Sequence, residues 1–201
     1  GNAVASNNLG VMLRDGRGID ANPSDALNWF RKSAEAGDMH GQFNLAQMLE
    51  QGKGVAASAT DAMAWYRKAA DQGMAEAQAR LGWMMARDPG KQKDSLEWLK
   101  KAAEQGVTWA QNNLGVIYES GQGVTKDAAA AAQWYRKAAD GGDAAAQNNL
   151  GVMYRDGNGV GKDLNAAIGW FQKAATQGYT KAMINLGSVY EEAARAARQG
   201  K

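Results

Sequence analysis

The chain has no cysteine, a single histidine, and almost no net charge: 23 lysines and arginines against 21 aspartates and glutamates. Without cysteine, disulfides and thiolate chemistry are excluded, and the absence fits a reducing cytosol and a disulfide-free envelope protein equally. One histidine, with no carboxylate cluster at ligand spacing, argues against a metal site. The near-neutral balance gives a weak field, so a nucleic-acid backbone is not an expected partner. Long apolar runs are lacking too; no stretch approaches the ~18 residues that read as a membrane-spanning helix. No strand precedes a phosphate loop or a nucleophile elbow, and the Gly-x-Gly runs lie between helical segments, where turn chemistry explains them. No catalytic residue and no cofactor is implied.

What the chain does have is repetition. A tryptophan followed by an aromatic or leucine recurs at Trp29-Phe30, Trp65-Tyr66, Trp98-Leu99, Trp134-Tyr135 and Trp170-Phe171, in steps of 36, 33, 36 and 36 residues. A second register runs in phase: Leu9-Gly10, Leu45-Ala46, Leu81-Gly82, Leu114-Gly115, Leu150-Gly151 and Leu186-Gly187. Two phased registers mean one supersecondary unit copied in tandem, and stacked copies bury a continuous core and present an extended surface suited to binding. The other apolar positions are helical in period. Ala110, Leu114, Ile117 and Tyr118 share one face, and Ala131, Trp134, Tyr135, Ala138 and Ala139 form a stripe.

Glycines Gly16, Gly52, Gly121 and Gly157 are placed to close the first helix of a unit in the left-handed conformation. Seven residues before the tryptophan, Asn22, Ser58, Asp127 and Asp163 read as caps of the second helix, with Pro23 in the first helical position. The glycine of each Leu-Gly pair costs roughly 1 kcal/mol relative to alanine inside a helix. It is therefore expected to admit a closely packed tryptophan-bearing helix, and the tryptophans themselves are expected to fill the core. The fold class is all-α, a solenoid of five helix pairs and a C-terminal capping helix, in one domain over residues 1–201. Units are expected near 1–37, 38–73, 74–106, 107–142 and 143–178, with the capping helix over 179–201.

The run Ala110-Gln-Asn-Asn-Leu-Gly-Val-Ile-Tyr118, then Gly121-Gln-Gly-Val124, Asp127, Ala131, Trp134-Tyr-Arg-Lys-Ala-Ala139 and Gly142 resembles the Sel1-like repeats, relatives of the tetratricopeptide repeats. The resemblance covers essentially the whole chain. It implies a right-handed α/α superhelix whose first helices line a concave side, and an adaptor or scaffold role in protein complexes. Many bacterial members work in the cell envelope, so the periplasm or envelope is the compartment it favours. Some cysteine-rich relatives are linked to β-lactam binding; this chain lacks their paired cysteines. The third unit departs from the pattern, being three residues short, with Ala86-Arg-Asp-Pro-Gly90 in place of the glycine loop and Lys91 at the capping position, so a kinked or loosened stack is expected there. The start Gly1-Asn2-Ala3 aligns with the junction Gly142-Asp143-Ala144, which suggests a piece of a longer protein.

By the same resemblance, ligands are read from first-helix positions five and two before the leucine and two after it. The candidates are His40, Phe43, Gln47, Trp83, Trp109, Asn112 and Asn148. Trp83 and Trp109 lie outside the packing columns, and with Phe43 and His40 they suggest an aromatic patch. Aromatic anchors are enriched at binding hot spots, while the competing reading has both tryptophans filling space beside the shortened unit. The asparagines Asn8, Asn44, Asn113, Asn149 and Asn185, one before the leucine, are read as bonding between adjacent units, or else as a ladder for an extended peptide. A lysine column, Lys32, Lys68, Lys101, Lys137 and Lys173, reads as a solvated face. The leading expectation is a non-catalytic scaffold that holds a partner peptide or helix in the groove. The alternatives are a small-molecule or cell-wall glycan/peptide-binding protein on Trp83 and Trp109, and a hydrolase using Ser188 with Lys181. An uncovered first helix at the amino end offers a face for a homodimer.

Overall fold

The computed structural model describes residues Asn2–Gln199. Among them it has eleven α-helices and a short 3-10 turn, in the order α1 (Ala3–Asp15), α2 (Pro23–Glu35), α3 (Met39–Gln51), α4 (Ala59–Asp71), α5 (Ala75–Met85), the 3-10 turn (Pro89–Lys91), α6 (Gln92–Glu104), α7 (Thr108–Ser120), α8 (Ala128–Asp140), α9 (Ala144–Asp156), α10 (Leu164–Thr176) and α11 (Thr180–Gln199). These are five pairs and a final longer helix. The chain forms two compact units, Gly1–Trp98 and Leu99–Lys201, in each of which consecutive helices pack on one another.

The loop inside a unit is built the same way each time. Gly16, Gly52, Gly121 and Gly157 adopt φ of 68 to 76° and donate to the carbonyls of Met12, Met48, Ile117 and Met153. The next amide bonds the same carbonyl, so the orphan acceptors of the helix end are met by the turn itself. Each capping residue then works at both ends. The side chains of Asn22, Ser58, Asp127 and Asp163 accept from the amides of Asp25, Asp61, Ala130 and Ala166. Their own amides donate back to the carbonyls of Leu13, Leu49, Tyr118 and Tyr154, at 2.8 to 2.9 Å. One residue thus starts the second helix and fastens it to the end of the first.

The core differs from expectation in one respect. The side chain that fills it is the residue after the tryptophan: Phe30, Tyr66, Leu99, Tyr135 and Phe171 are fully buried. Only Trp170 among the five tryptophans is buried, and Trp29, Trp65, Trp98 and Trp134 are half-buried. One residue is 100° around the helix, so the two members of a Trp-aromatic pair cannot face the same neighbour. The ring against the partner helix sits over the glycine of the Leu-Gly pair. A β-carbon on Gly10 would lie 2.7 Å from Phe30, on Gly115 2.5 Å from Tyr135, and on Gly151 2.6 Å from Phe171. The glycines do admit close packing, of the aromatic one position later than the tryptophan.

The lysine column is exposed along its length, as a solvated face requires, and most of it also covers the tryptophans. Lys32, Lys68, Lys137 and Lys173 lie over the rings of Trp29, Trp65, Trp134 and Trp170, three residues before them, at 3.7 to 4.9 Å from the ring centre. The indoles hold these four ammonium groups by cation–π attraction, which gives them a structural role in addition to solvation. Arg67 and Arg136 approach Trp98 and Trp170 of the following pair.

In the third pair the missing glycine loop is replaced by a capped turn. Asp88 accepts from the Gly90 amide at 3.0 Å and pairs with Lys91 at 3.1 Å, and the 3-10 turn runs directly into α6. The cap has moved from position 91 to Asp88. Buried Ser95 donates to the Gly82 carbonyl at 2.7 Å and joins α6 to α5. At the other end, α11 continues as one helix past Tyr190, as its lack of a turn glycine predicts.

Candidate functional site

Of the seven candidate residues, His40, Phe43, Gln47 and Trp83 belong to the first compact unit and Trp109, Asn112 and Asn148 to the second. Three of them, His40, Phe43 and Gln47, are spaced three and four apart on α3 and so share one face. His40 is exposed, and Phe43 and Gln47 are half-buried. Phe43 also packs against the core, its ring 5.5 Å from that of Tyr66 and tilted by 59°. On α5, Trp83 is half-buried with the Arg87 guanidinium 3.6 Å above its ring centre. The stacked arginine sets a cation against the Trp83 ring, a cation–π contact at its surface.

Trp109, at the start of α7, is half-buried. Asn112 and Asn148 have other duties. Asn149 donates to the Asn112 side-chain oxygen at 3.1 Å and Asn185 to that of Asn148 at 2.8 Å, while in the first unit Asn44 donates to Asn7 at 2.8 Å. The asparagine one before the leucine therefore bonds the asparagine two before the leucine of the preceding pair, as the between-unit reading expected. Asn148 is 5% exposed, which removes most of its surface from any ligand.

A second amide column escaped the sequence reading. Buried Gln42, Gln78, Gln111 and Gln147, three before the leucine, donate to the carbonyls of Ala34, Ala70, Ala103 and Ala139. Gln72 and Gln177 then donate to the side-chain oxygens of Gln42 and Gln147 at 2.8 and 2.9 Å, and to the carbonyls of Gly37 and Gly142. The position matching Gln72 and Gln177 is Gly141 in the fourth pair, and there the buried oxygen of Gln111 has no hydrogen-bond partner. The signal was present as repetition at one register, the same kind that marked the asparagines.

Two tyrosines carry strongly altered acidity. Tyr66 donates to Glu50 and Tyr135 to Glu119, both at 2.7 Å. Burial, then the hydrogen bond to a carboxylate, push both hydroxyls well above the usual tyrosine range. Where the core aromatic is phenylalanine, the position sixteen residues earlier is arginine: Arg14 before Phe30 and Arg155 before Phe171. These are packing choices. Ser188, considered with Lys181, is exposed and donates to the Ile184 carbonyl one turn back; Lys181 is exposed as well.

Two clefts lie on the second helices. One of about 440 Å³ is lined by residues of α4, α5 and the start of α6, and one of about 200 Å³ by residues of α8, α9 and the loop at Gly159. Among the described residues no group of three metal-ligating side chains comes together, and no helix is long and apolar enough to cross a membrane.

The Sel1 repeat pattern matches residues 3–38, 40–74, 75–107, 110–143 and 144–179. Among solved structures, a protective antigen of uropathogenic Escherichia coli with an SLR fold is 41% identical with a TM-score of 0.91, over 96% of this chain and 42% of that protein. The chain thus spans less than half the length of that relative. A Sel1 repeat protein from Oxalobacter formigenes is 35% identical with a TM-score of 0.87, over 94% of this chain and 76% of its own. Cysteine rich protein B of Helicobacter pylori is 28% identical with a TM-score of 0.52, over 62% of this chain and 91% of its own. No curated protein sequence matches the chain. Members of the matching family commonly serve as protein-interaction scaffolds and are generally non-catalytic. By five tandem matches along nearly its whole length, the chain belongs to the Sel1 repeat family.

Proposed function

We propose that this chain is a non-catalytic interaction scaffold that holds a peptide or helix of a partner protein against its first helices. In the first unit His40, Phe43, Gln47 and Trp83 make the contact, and in the second unit Trp109 makes a contact of its own. The observation that carries this reading is Trp83: a large aromatic outside every packing column, half-buried, with Arg87 stacked on it. Such a side chain offers wide contact area with few rotors to immobilise. Asn112 and Asn148 contribute by holding neighbouring first helices in register through Asn149 and Asn185. The two clefts described above, one at α4 to α6 and one at α8, α9 and the Gly159 loop, do not include Trp83 or Trp109.

The test compares proteins captured from a bacterial lysate by the wild-type chain, by Trp83→Ala/Trp109→Ala, and by a control altered on the second helices, Lys32→Ala/Lys137→Ala. All three are first matched in helicity and unfolding midpoint. The reading expects at least one protein retained by the wild type and the control and reduced about tenfold or more by the tryptophan variant. Equal retention by the tryptophan variant would remove these side chains from the contact.

A further inference from the structure

We propose that the cleft at the shortened third pair is a second binding site, built to receive a glycine-containing turn of a partner protein that carries one β-branched aliphatic side chain. The reason lies in what covers the same place elsewhere. In a full-length pair the Gly-x-Gly loop lies on the first turn of the preceding second helix. A β-carbon on Gly54 would come within 2.7 Å of the Pro23 carbonyl oxygen, and one on Gly159 within 2.8 Å of the Ala129 amide. The aliphatic residue that follows each glycine packs inward: Val55 against the first-unit core, and Val160 against the second. Only glycine allows so close a backbone approach, and both glycines have positive φ.

The first turn of α4 has no such cover, because the segment that would supply it is Ala86-Arg-Asp-Pro-Gly90. The result is measurable. At α8, where the loop is full length, the cleft is about 200 Å³ and Val160 forms part of its wall; at α4 it is about 440 Å³. Its apolar surfaces are Ala59, Met63, Ala64 and Met85, and its polar lining is Thr60, Arg67, Lys91 and Asp94. Ala59 is the first residue of α4, the position at which Pro23 and Ala128 meet a loop glycine. The methionines line a space of adaptable shape suited to a branched aliphatic group. Arg67, which also approaches the Trp98 ring, and Lys91, which also pairs with Asp88, have further donors for the carbonyls of a turn, and Asp94 can accept from its amides. The site is separate from the first-helix surface and does not depend on the scaffold reading.

The experiment labels the methionine methyl groups of the full chain and follows their resonances as a peptide is added. The probe is Gly-Asn-Gly-Val-Gly-Lys-Asp, the sequence of residues 157–163. The proposal expects saturable shifts at Met63 and Met85 with a dissociation constant in the region of ~1 mM, weakened about tenfold or more when serine replaces the valine. Ala64→Trp, at an exposed position, fills the cleft and should abolish the shifts while the spectrum elsewhere is kept. Lengthening the third loop by three residues to Gly-x-Gly-Val should do the same. No shift at millimolar peptide, equal shifts with the serine peptide, or undiminished shifts in a folded Ala64→Trp chain would each overturn it.

Discussion

Two glycines in the same motif carry opposite roles, and side-chain surroundings alone separate them. Gly115 faces the Tyr135 ring, whereas a β-carbon on Gly187 would meet nothing within 4 Å. Gly115→Ala therefore forces the ring aside and should destabilise by about 1–3 kcal/mol, offset in part by the ~1 kcal/mol that alanine contributes to a helix. Gly187→Ala keeps the helix gain and should stabilise by about 0.5–1 kcal/mol. Urea-unfolding midpoints of the two variants should move in opposite directions, and movement in the same direction would refute the packing account. The tyrosine–glutamate pairs make a second residue-scale prediction. Tyr135→Phe removes a hydrogen bond to a carboxylate and should cost about 1.5–3 kcal/mol; adding Glu119→Arg, which recreates the Phe30 and Arg14 combination, should recover part of it. The pH dependence has a definite sign. Both hydroxyls are held above their ordinary value of 10.0 in the folded chain, so the unfolded chain loses these protons first as pH rises. The stabilisation is complete below about pH 10 and declines above it, and in Tyr66→Phe/Tyr135→Phe that alkaline decline should be shallower. The Trp-aromatic repeat was legible in the sequence, but which of the two side chains enters the core was not, since both are aromatic and only the rotation of the packed helix chooses between them.

Helices here end where glycines and capping side chains say they should, because turn and cap chemistry acts over a few residues and needs no tertiary partner. Asp127 accepts from Ala130 and donates its own amide to Tyr118, so Asp127→Ala should cost roughly 1 kcal/mol and loosen the α7–α8 loop. Between helices the amide columns do the joining, and the fourth pair shows what happens when one member is missing. Gly141 stands where glutamine would meet the buried Gln111 oxygen, and a β-carbon there runs into the Thr108 methyl. Gly141→Gln alone should therefore be neutral or destabilising, whereas Gly141→Gln with Thr108→Ala should gain about 1 kcal/mol by satisfying the orphan oxygen. A four-variant thermodynamic cycle reads this directly; additivity of the two changes would refute the link. The missing bond could not be found by periodicity, because it depends on two positions thirty residues apart meeting in space.

At the larger scale, α1 to α5 in the first unit and α7 to α11 in the second each pack chiefly on their neighbours in sequence. Stability in such a chain is close to a sum of local terms, and unfolding need not be all-or-none. Gly151→Ala, which drives a β-carbon into Phe171, should lower hydrogen-exchange protection in α9 and α10 and leave α1 to α4 unchanged. A uniform loss along the chain would contradict this. The candidate surface was less legible than the fold. Sequence position picks out Trp83 and Trp109 as side chains that no packing column requires, yet it treats Asn112 and Asn148 as their equals, although neighbouring asparagines already occupy both oxygens. By itself the sequence determined the all-helical class, the repeat, the capped turns and the irregular third pair, since each rests on spacing and local backbone chemistry. Only the tertiary structure decided which aromatic is buried, which amides are already partnered, that lysines cover the tryptophans, and where a short loop leaves a cleft. Those properties belong to pairs of surfaces, and a single register of residues does not contain its partner.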